Sequence, residues 1–126
     1  MEDFISIDRM HEILDEIAQD IPRDFYKGLS GGIVLLPDAK LHKEAVNDDL
    51  YIMGEYHRSR MGKYIKIYYG SFKKVYPYLD EANLKEKLRH TLIHEFTHHL
   101  EGLSGLKDLE VEDEIMINEY KSRFKD

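Results

Sequence analysis

Apolar residues recur at every fourth position in the second half of the chain, and this spacing predicts a long amphipathic helix. The positions are Leu84, Leu88, Leu92, Phe96 and Leu100. They place one stripe of apolar side chains on the side of the helix that faces the core. Asp80 stands where an N-cap belongs, and Gly102 and Gly105 are expected to end the helix.

Two further helices are predicted near the ends of the chain. The first has an apolar face that consists of Ile7, Met10, Ile13, Leu14, Ile17 and Ala18. Ser6 or Asp8 can begin this helix, and Pro22 ends it. The other is expected over residues 108–124, where acidic residues come early and basic residues late, as the helix dipole favours.

Runs of β-forming residues between the helices predict strands. Residues 33–36 are a short apolar run, closed by Pro37, that is typical of a buried strand. Residues 50–57 and 64–69 are both rich in β-forming residues. The segment between them is turn-like and contains Gly62, so the pair predicts a hairpin.

The remaining segments and the length of the chain complete the expected organisation. Residues 38–49 and 72–79 show no hydrophobic period, and we expect a loop and an irregular connection there. A chain of 126 residues is long enough for one hydrophobic core, so a single domain over residues 1–126 is predicted.

Charge and composition exclude several classes of partner. A net charge of −7 argues against nucleic acid. No stretch approaches the ~20 apolar residues that span a bilayer, so no membrane is expected. The first residues are acidic and carry no apolar run typical of a secretory signal, which makes the cytoplasm the default location. Because there is no cysteine, any metal must be held by histidines and carboxylates. The oligomeric state is left open.

The long helix carries the motif H-E-x-x-H at His94, Glu95 and His98. Residues four apart lie one turn apart on the same face, so both imidazoles can reach one zinc ion on the side opposite the apolar stripe. Glu95 lies beside that face, where it could accept a proton from a metal-bound water. The alternative is that two exposed histidines and a surface glutamate match by chance. The surrounding helix pattern favours the metal site.

A catalytic zinc site requires a third protein ligand and an open position for water. The candidates from spacing are Asp108, Glu101, Glu110 and Glu112. Asp108 also stands where a helix N-cap would, Glu110 and Glu112 fit the first turn of the predicted last helix, and Glu101 could hold an imidazole from behind. Spacing favours Asp108 and leaves Glu112 and Glu101 open.

Seven of the nine tyrosines lie between residues 51 and 78. Their preference for strands explains this distribution. An alternative is that some side chains of this region line a cleft beside the metal and bind an oxyanion, with Tyr56, His57 and Tyr69 as candidates.

Residues 91–100, in which a second histidine, His99, directly follows the motif, resemble the active-site helix of zincin metallopeptidases. More narrowly, they resemble the small bacterial minimal zincins, an Asp-zincin-like group. The resemblance implies an α+β domain, in which a small twisted sheet of three to four strands packs on the motif helix. Helices at the N- and C-terminal ends flank this unit, and the edge strand of the sheet borders the cleft.

The resemblance also assigns roles to residues. The pattern of the group is H-E-x-x-H-x-x-G-x-x-D, with the last Asp as third zinc ligand, but this chain has Glu101 and Ser104 at the Gly and Asp positions. Gly105 and Asp108 repeat the G-x-x-D spacing four residues later. The implied ligands are therefore His94, His98 and Asp108.

The sequence thus predicts a zinc-dependent hydrolase, a metallopeptidase that acts on a peptide or protein substrate with Glu95 as general base. One alternative is a zinc-binding module without peptidase activity that acts through protein–protein contacts. Another is an acidic interaction domain without a metal, which requires the motif to be a chance match.

Overall fold

The computed structural model describes residues 4–43 and 50–104, which adopt the predicted α+β fold. A short 3-10 helix, Arg23–Tyr26, follows the first α-helix. The α-helices are α1 (Ile7–Asp20), α2 (Tyr69–Val75) and α3 (Glu81–Ser104). The strands are β1 (Gly32–Leu36), β2 (Lys40–Leu41), β3 (Tyr51–Ile52), β4 (Gly54–Ser59) and β5 (Gly62–Tyr68).

The start and the buried face of α1 are as predicted. The Ser6 hydroxyl caps the helix by accepting a hydrogen bond from the Arg9 N–H at 3.0 Å. Helix α1 ends at Asp20, shortly before Pro22, which cannot donate to a further helical turn. The buried residues of its apolar face are Met10, Ile13, Leu14 and Ile17.

Helix α3 begins as predicted but continues further. The Asp80 carboxylate accepts a hydrogen bond from the Asn83 N–H at 2.8 Å, and the buried stripe contains Leu84, Leu88, Leu92 and Phe96. The prediction that Gly102 ends the helix is wrong, because α3 runs through it to Ser104. One glycine costs a helix about 1 kcal/mol, which a helix packed along its length tolerates. Gly105 lies outside the described residues.

The main sheet has three strands in the order β1, β5, β4, so β4 is an edge strand within the described part of the chain. The predicted hairpin is present as the antiparallel pair β4 and β5, with Arg60 and Met61 as a two-residue turn. Strand β1 pairs with β5 in parallel. It is less buried than predicted, since the Val34 side chain is 36% exposed.

The two segments without a hydrophobic period are partly regular. The prediction of a loop over residues 38–49 is wrong for Lys40–Leu41, which pairs with Tyr51–Ile52 in a separate two-stranded sheet. A two-residue strand is too short to show alternation, and its partner lies ten residues away. Residues 44–49 are outside the described ranges.

The predicted irregular connection over residues 72–79 is also partly wrong, because its first residues belong to α2. This helix begins directly after β5 and buries Phe72 completely. Tertiary contacts support it, since the Ser71 hydroxyl accepts a hydrogen bond from the Lys40 N–H at 2.9 Å. A methyl group on Gly70 would lie 2.6 Å from the backbone nitrogen of Ala39, so only glycine permits this approach.

The core lies between α1, α3 and the inner face of the sheet. Ile65 and Ile67 of β5 are fully buried there, and Phe96 of α3 packs edge-to-face on Tyr26 with ring centroids 4.9 Å apart. No helix among the described residues is long and apolar enough to cross a membrane. The helix expected over residues 108–124 lies outside the described part, and the single domain over residues 1–126 stays a prediction.

Candidate active site

A cleft of about 980 Å³ lies between α3 and the edge strand β4, which run side by side in the same direction. We call α3 the helix wall and β4 the strand wall. Contacts join Gly54 to Thr91, Tyr56 to Glu95 and His99, and Arg58 to Gly102. From Gly54 to Arg58 the strand advances about 13 Å, and from Thr91 to Gly102 the helix advances about 16.5 Å, so the two walls run alongside each other over these positions.

His94 and His98 converge on one point of the cleft. Their Nε2 atoms are 3.2 Å apart, and the two rings are nearly perpendicular, at 89°. Two nitrogen ligands about 2.0–2.1 Å from a tetrahedral zinc ion lie roughly 3.3–3.4 Å from each other. The spacing of the two Nε2 atoms therefore fits a shared zinc ion, and the buried stripe on the opposite side of α3 holds the helix in this orientation.

Glu101 approaches His98 from behind. Its carboxylate lies 3.5 Å from Nδ1 of His98, whereas Nε2 of that ring faces His94. This geometry matches the alternative in which Glu101 orients an imidazole rather than binding the metal. Within residues 4–43 and 50–104, no three histidines or carboxylates form a group that could hold a metal ion. Asp108, Glu110 and Glu112 lie outside these ranges, so the third ligand stays a prediction.

The Glu95 side chain is buried beside the two histidines. It is 7% exposed, and one of its carboxylate oxygens accepts a hydrogen bond from the backbone N–H of Tyr56. Burial raises the pKa of Glu95 to about 7, and the nearby negative charge of Glu55 contributes, while the hydrogen bond from Tyr56 acts in the opposite direction. In the metal-free protein, Glu95 can therefore both take up and release a proton near neutral pH.

His99, the second histidine after the motif, is fully buried and connects the two walls. Its Nε2 lies 2.8 Å from the carbonyl oxygen of Lys27, which can only accept, so Nε2 carries the proton. Nδ1 therefore accepts a hydrogen bond from the Tyr56 hydroxyl at 2.9 Å. Since the backbone N–H of Tyr56 binds Glu95, His99 holds the residue that orients the candidate base.

A second important carboxylate, Glu55 on the strand wall, was missed by the reasoning from sequence. Lys40 donates to both of its oxygens at 2.9 Å, Tyr68 donates at 2.5 Å, and Nε2 of His57 lies 3.3 Å away. Burial alone would raise the pKa of Glu55, but these hydrogen bonds outweigh it and lower the pKa to about 2. Its partners are up to fifteen residues distant in sequence, so no local pattern reveals the cluster.

The candidates for oxyanion binding are engaged in other contacts. The hydroxyl of Tyr56 binds His99, and that of Tyr69 donates to the carbonyl oxygen of Ile5 at 2.5 Å. His57 lines the cleft and stacks on Tyr64, with ring centroids 5.1 Å apart. The favoured explanation of the tyrosines, that they are strand residues, accounts for Tyr64 and Tyr68 of β5 and for Tyr56 of β4.

Comparison with known proteins identifies the class to which this fold and site belong. The profile of the zincin-like metallopeptidase family matches residues 36–116, more than half of the chain, and the protein belongs to this family. Among solved structures, it is similar to a conserved hypothetical protein from Thermo thermophilus, with a TM-score of 0.69 and 28% sequence identity. The match covers 79% of this chain and 98% of that chain. A search of curated proteins gives no match. The resemblance to minimal zincins is thereby confirmed.

Proposed function

We propose that the protein is a zinc-dependent peptidase that uses Glu95 as its general base. The observation that carries the proposal is the 3.2 Å separation of the His94 and His98 Nε2 atoms beside a carboxyl group whose pKa is raised to about 7. Membership in the zincin-like metallopeptidase family supports the same class of chemistry.

His94 and His98 would hold the zinc ion through Nε2, and we propose Asp108 as the third ligand. Glu101 would fix the orientation of the His98 ring through Nδ1, 3.5 Å away. A zinc ion in such a site lowers the pKa of water from 15.7 to about 7 and polarises a carbonyl oxygen. Positive charge between the two imidazoles would also favour the ionised form of Glu95 and lower its pKa.

Glu95 moves the protons of the reaction. Its carboxylate accepts a proton from the attacking water and passes it to the nitrogen of the leaving amine. The backbone N–H of Tyr56 keeps one oxygen in place, so the other is available to the substrate side. Burial of the side chain excludes bulk water, which would otherwise compete for the proton.

The strand wall is suited to hold an extended peptide. Within the described residues, β4 pairs with another strand only on its β5 side, and one N–H of its other edge, that of Tyr56, binds Glu95. A peptide laid along that edge could form main-chain hydrogen bonds with the remaining backbone groups as an additional strand. Because such bonds involve backbone atoms, they provide binding without strong preference for sequence. The scissile carbonyl would then face His94, Glu95 and His98 across the cleft.

The test combines metal analysis with a peptide screen. Protein purified without chelator or a metal-affinity tag is expected to contain or take up one zinc ion, and His94→Ala and His98→Ala should each lose it. With zinc present, the wild-type protein should cleave members of a broad peptide library. Glu95→Gln should retain zinc and lose about 10²–10⁴-fold in kcat, the range typical of a general base.

A matched control is Glu86→Gln, on the same helix but outside the residues that line the cleft. It should leave both zinc content and turnover unchanged. Full activity of Glu95→Gln would remove Glu95 from the mechanism. Retained zinc without cleavage of any peptide would favour a zinc-binding module, and absence of zinc uptake would contradict the metal site itself.

A further inference from the structure

We propose that Arg58 makes this cleft selective for peptides that carry a carboxylate two to three residues from the scissile bond. The proposal rests on the proposed peptidase function and adds the substrate class. Arg58 lies on the strand wall, near the end of β4, and its side chain lines the same cleft as His94, Glu95 and His98.

The helix wall leaves room for the Arg58 guanidinium. The guanidinium lies against Gly102, the residue one turn after His98. A methyl group on Gly102 would be 2.6 Å from Nη1 of Arg58. Any larger residue at position 102 would push the guanidinium away from α3. Gly102 therefore leaves space that the guanidinium occupies, at a position that α3 passes before it ends at Ser104.

Arg58 makes no ion pair within the part of the chain that the structure describes, although its charge acts on the nearby Tyr56 hydroxyl. Other basic side chains there do make ion pairs, among them Arg9, Lys40, Lys85 and Arg89. Of the cleft carboxylates, Glu55 is bound by Lys40, and Glu101 lies 3.5 Å from Nδ1 of His98. An exposed guanidinium at the border of the cleft is thus available to a negatively charged ligand.

The distance along the cleft indicates which position of a peptide Arg58 would contact. Gly102 lies one turn, about 6 Å, beyond His98, and the candidate metal position lies between His98 and His94. An extended peptide advances about 3.3 Å per residue. A carboxylate two to three residues from the scissile bond would therefore be within reach of the planar, bidentate donors of an arginine.

Two sources of carboxylate fit this position, an acidic side chain and the free end of a short peptide. Both have the same chemistry, and the experiment separates them. We expect an exposed but well-oriented guanidinium to increase kcat/KM about tenfold for a carboxylate over the matching amide, as charge-assisted hydrogen bonds do in partly open sites.

The experiment starts from one peptide that the zinc-loaded wild-type protein cleaves. In the first series, the peptide has an amidated end, and each of the three positions on either side of the cleavage site is changed in turn to Glu, Gln or Lys. In the second series, the peptide is shortened so that its free C-terminal carboxylate falls at each of these positions in turn. The proteins are wild type, Arg58→Gln, Arg58→Glu and, as matched control, Arg60→Gln. Arg60 lies two residues away in the β4–β5 turn and does not line the cleft.

A second readout does not depend on turnover. Fluorescence anisotropy measures binding of the same peptides to zinc-loaded Glu95→Gln protein, with and without Arg58→Gln. If no library peptide is cleaved, the proposed function fails, and labelled members of the uncleaved library, in Glu, Gln and Lys versions, are used for this measurement instead.

The expected result is a preference of about tenfold for Glu over Gln at one position, or for a free end over an amide. It should disappear in Arg58→Gln, reverse towards Lys in Arg58→Glu, and persist in Arg60→Gln. If peptides are cleaved or bound but Arg58→Gln changes no such preference, the role of Arg58 is overturned and the peptidase proposal stays intact. An equal effect of Arg60→Gln, or no binding of any peptide, also overturns it.

Discussion

The helix wall and the strand wall of the cleft each carry a carboxyl group. The surroundings on the helix wall raise the pKa of its carboxyl group, whereas those on the strand wall lower the pKa of the other. On the helix wall, Glu95 is surrounded by protein and receives one backbone hydrogen bond, and its pKa is about 7. On the strand wall, Glu55 receives hydrogen bonds from Lys40, Tyr68 and His57, and its pKa is about 2. At neutral pH, Glu55 is a fixed negative charge and Glu95 is able to exchange a proton.

This difference shows how one cleft provides two kinds of carboxylate. Desolvation raises the pKa of Glu95 because its side chain is buried beside β4, where the backbone of Tyr56 contacts it. Neighbouring donors lower the pKa of Glu55 because β4 lies at an edge where polar side chains can gather. Changes to either wall should therefore affect the protein in different ways.

The largest expected effect comes from removing the anchor of the helix wall. Phe96→Ala should lower the free energy of unfolding by about 3–5 kcal/mol, because Phe96 is fully buried next to the motif and packs on Tyr26. Chemical denaturation measures this change. Met61→Ala, at the 96% exposed tip of the strand wall, is the control and should change it by less than about 0.5 kcal/mol. Similar losses for both would remove the distinction between the walls.

A smaller effect follows from the buried carboxyl group itself. The folded pKa of Glu95 is about 7, above its usual 4.5, so its stabilising contribution is complete below pH 4.5 and is lost as the pH rises through 7. In metal-free protein, wild type should lose of the order of 3 kcal/mol more than Glu95→Gln between pH 4.5 and 8. Denaturation in the presence of a chelator tests this, and identical pH profiles would contradict the raised pKa.

The hydrogen bond that joins the two walls should contribute about 1 kcal/mol. Tyr56→Phe keeps the ring but removes the hydroxyl that donates to the buried His99, so the free energy of unfolding should fall by that amount. The matched control is Tyr64→Phe, whose ring stacks on His57 and for which a change near zero is expected. If both variants are equally stable, the contact between Tyr56 and His99 does not hold the walls together.

The smallest effect is expected at Glu55. Its folded pKa is about 2, below the usual 4.5, so its contribution is present above pH 4.5 and is lost as the pH falls through 2. Between pH 5 and pH 3, wild type should lose more stability than Glu55→Gln, by less than about 1 kcal/mol because the site is partly exposed. Loss of this charge should also lower the pKa of Glu95, measured by carbon NMR on metal-free protein. An unchanged Glu95 pKa would show that the walls are electrostatically independent.

Features that depend on neighbours in sequence were predicted well. The fourfold spacing of Leu84 to Phe96 and the i, i+4 histidines determine, through the helical repeat alone, that the imidazoles face away from the core. The hairpin of β4 and β5 was found for the same reason, since its two strands are separated only by a short turn.

Features that depend on distant partners were missed. Helix α2 has no apolar period, and Phe72 is buried because the core lies beneath it. The environment of Glu55 requires Lys40 and Tyr68, which only the folded chain brings to it. For His99, the helical repeat predicts only that the ring packs or lies in water. Its two hydrogen-bond partners, the Tyr56 hydroxyl and the carbonyl oxygen of Lys27, are 43 and 72 residues away. Such pairings are set by tertiary structure and leave no local signal.

The parallel course of β4 and α3 limits the length of chain over which the cleft can work. The four strand steps from Gly54 to Arg58 advance about 13 Å, whereas the eleven helix steps from Thr91 to Gly102, about three turns, advance about 16.5 Å. The two walls therefore drift apart by about 3 Å over this span, and longer walls would no longer face each other residue by residue. Deletion of one residue of β4 after Tyr56 would shift each preceding strand residue by one position and turn its side chain to the opposite face. Glu55 would then face α3 in the place of Tyr56.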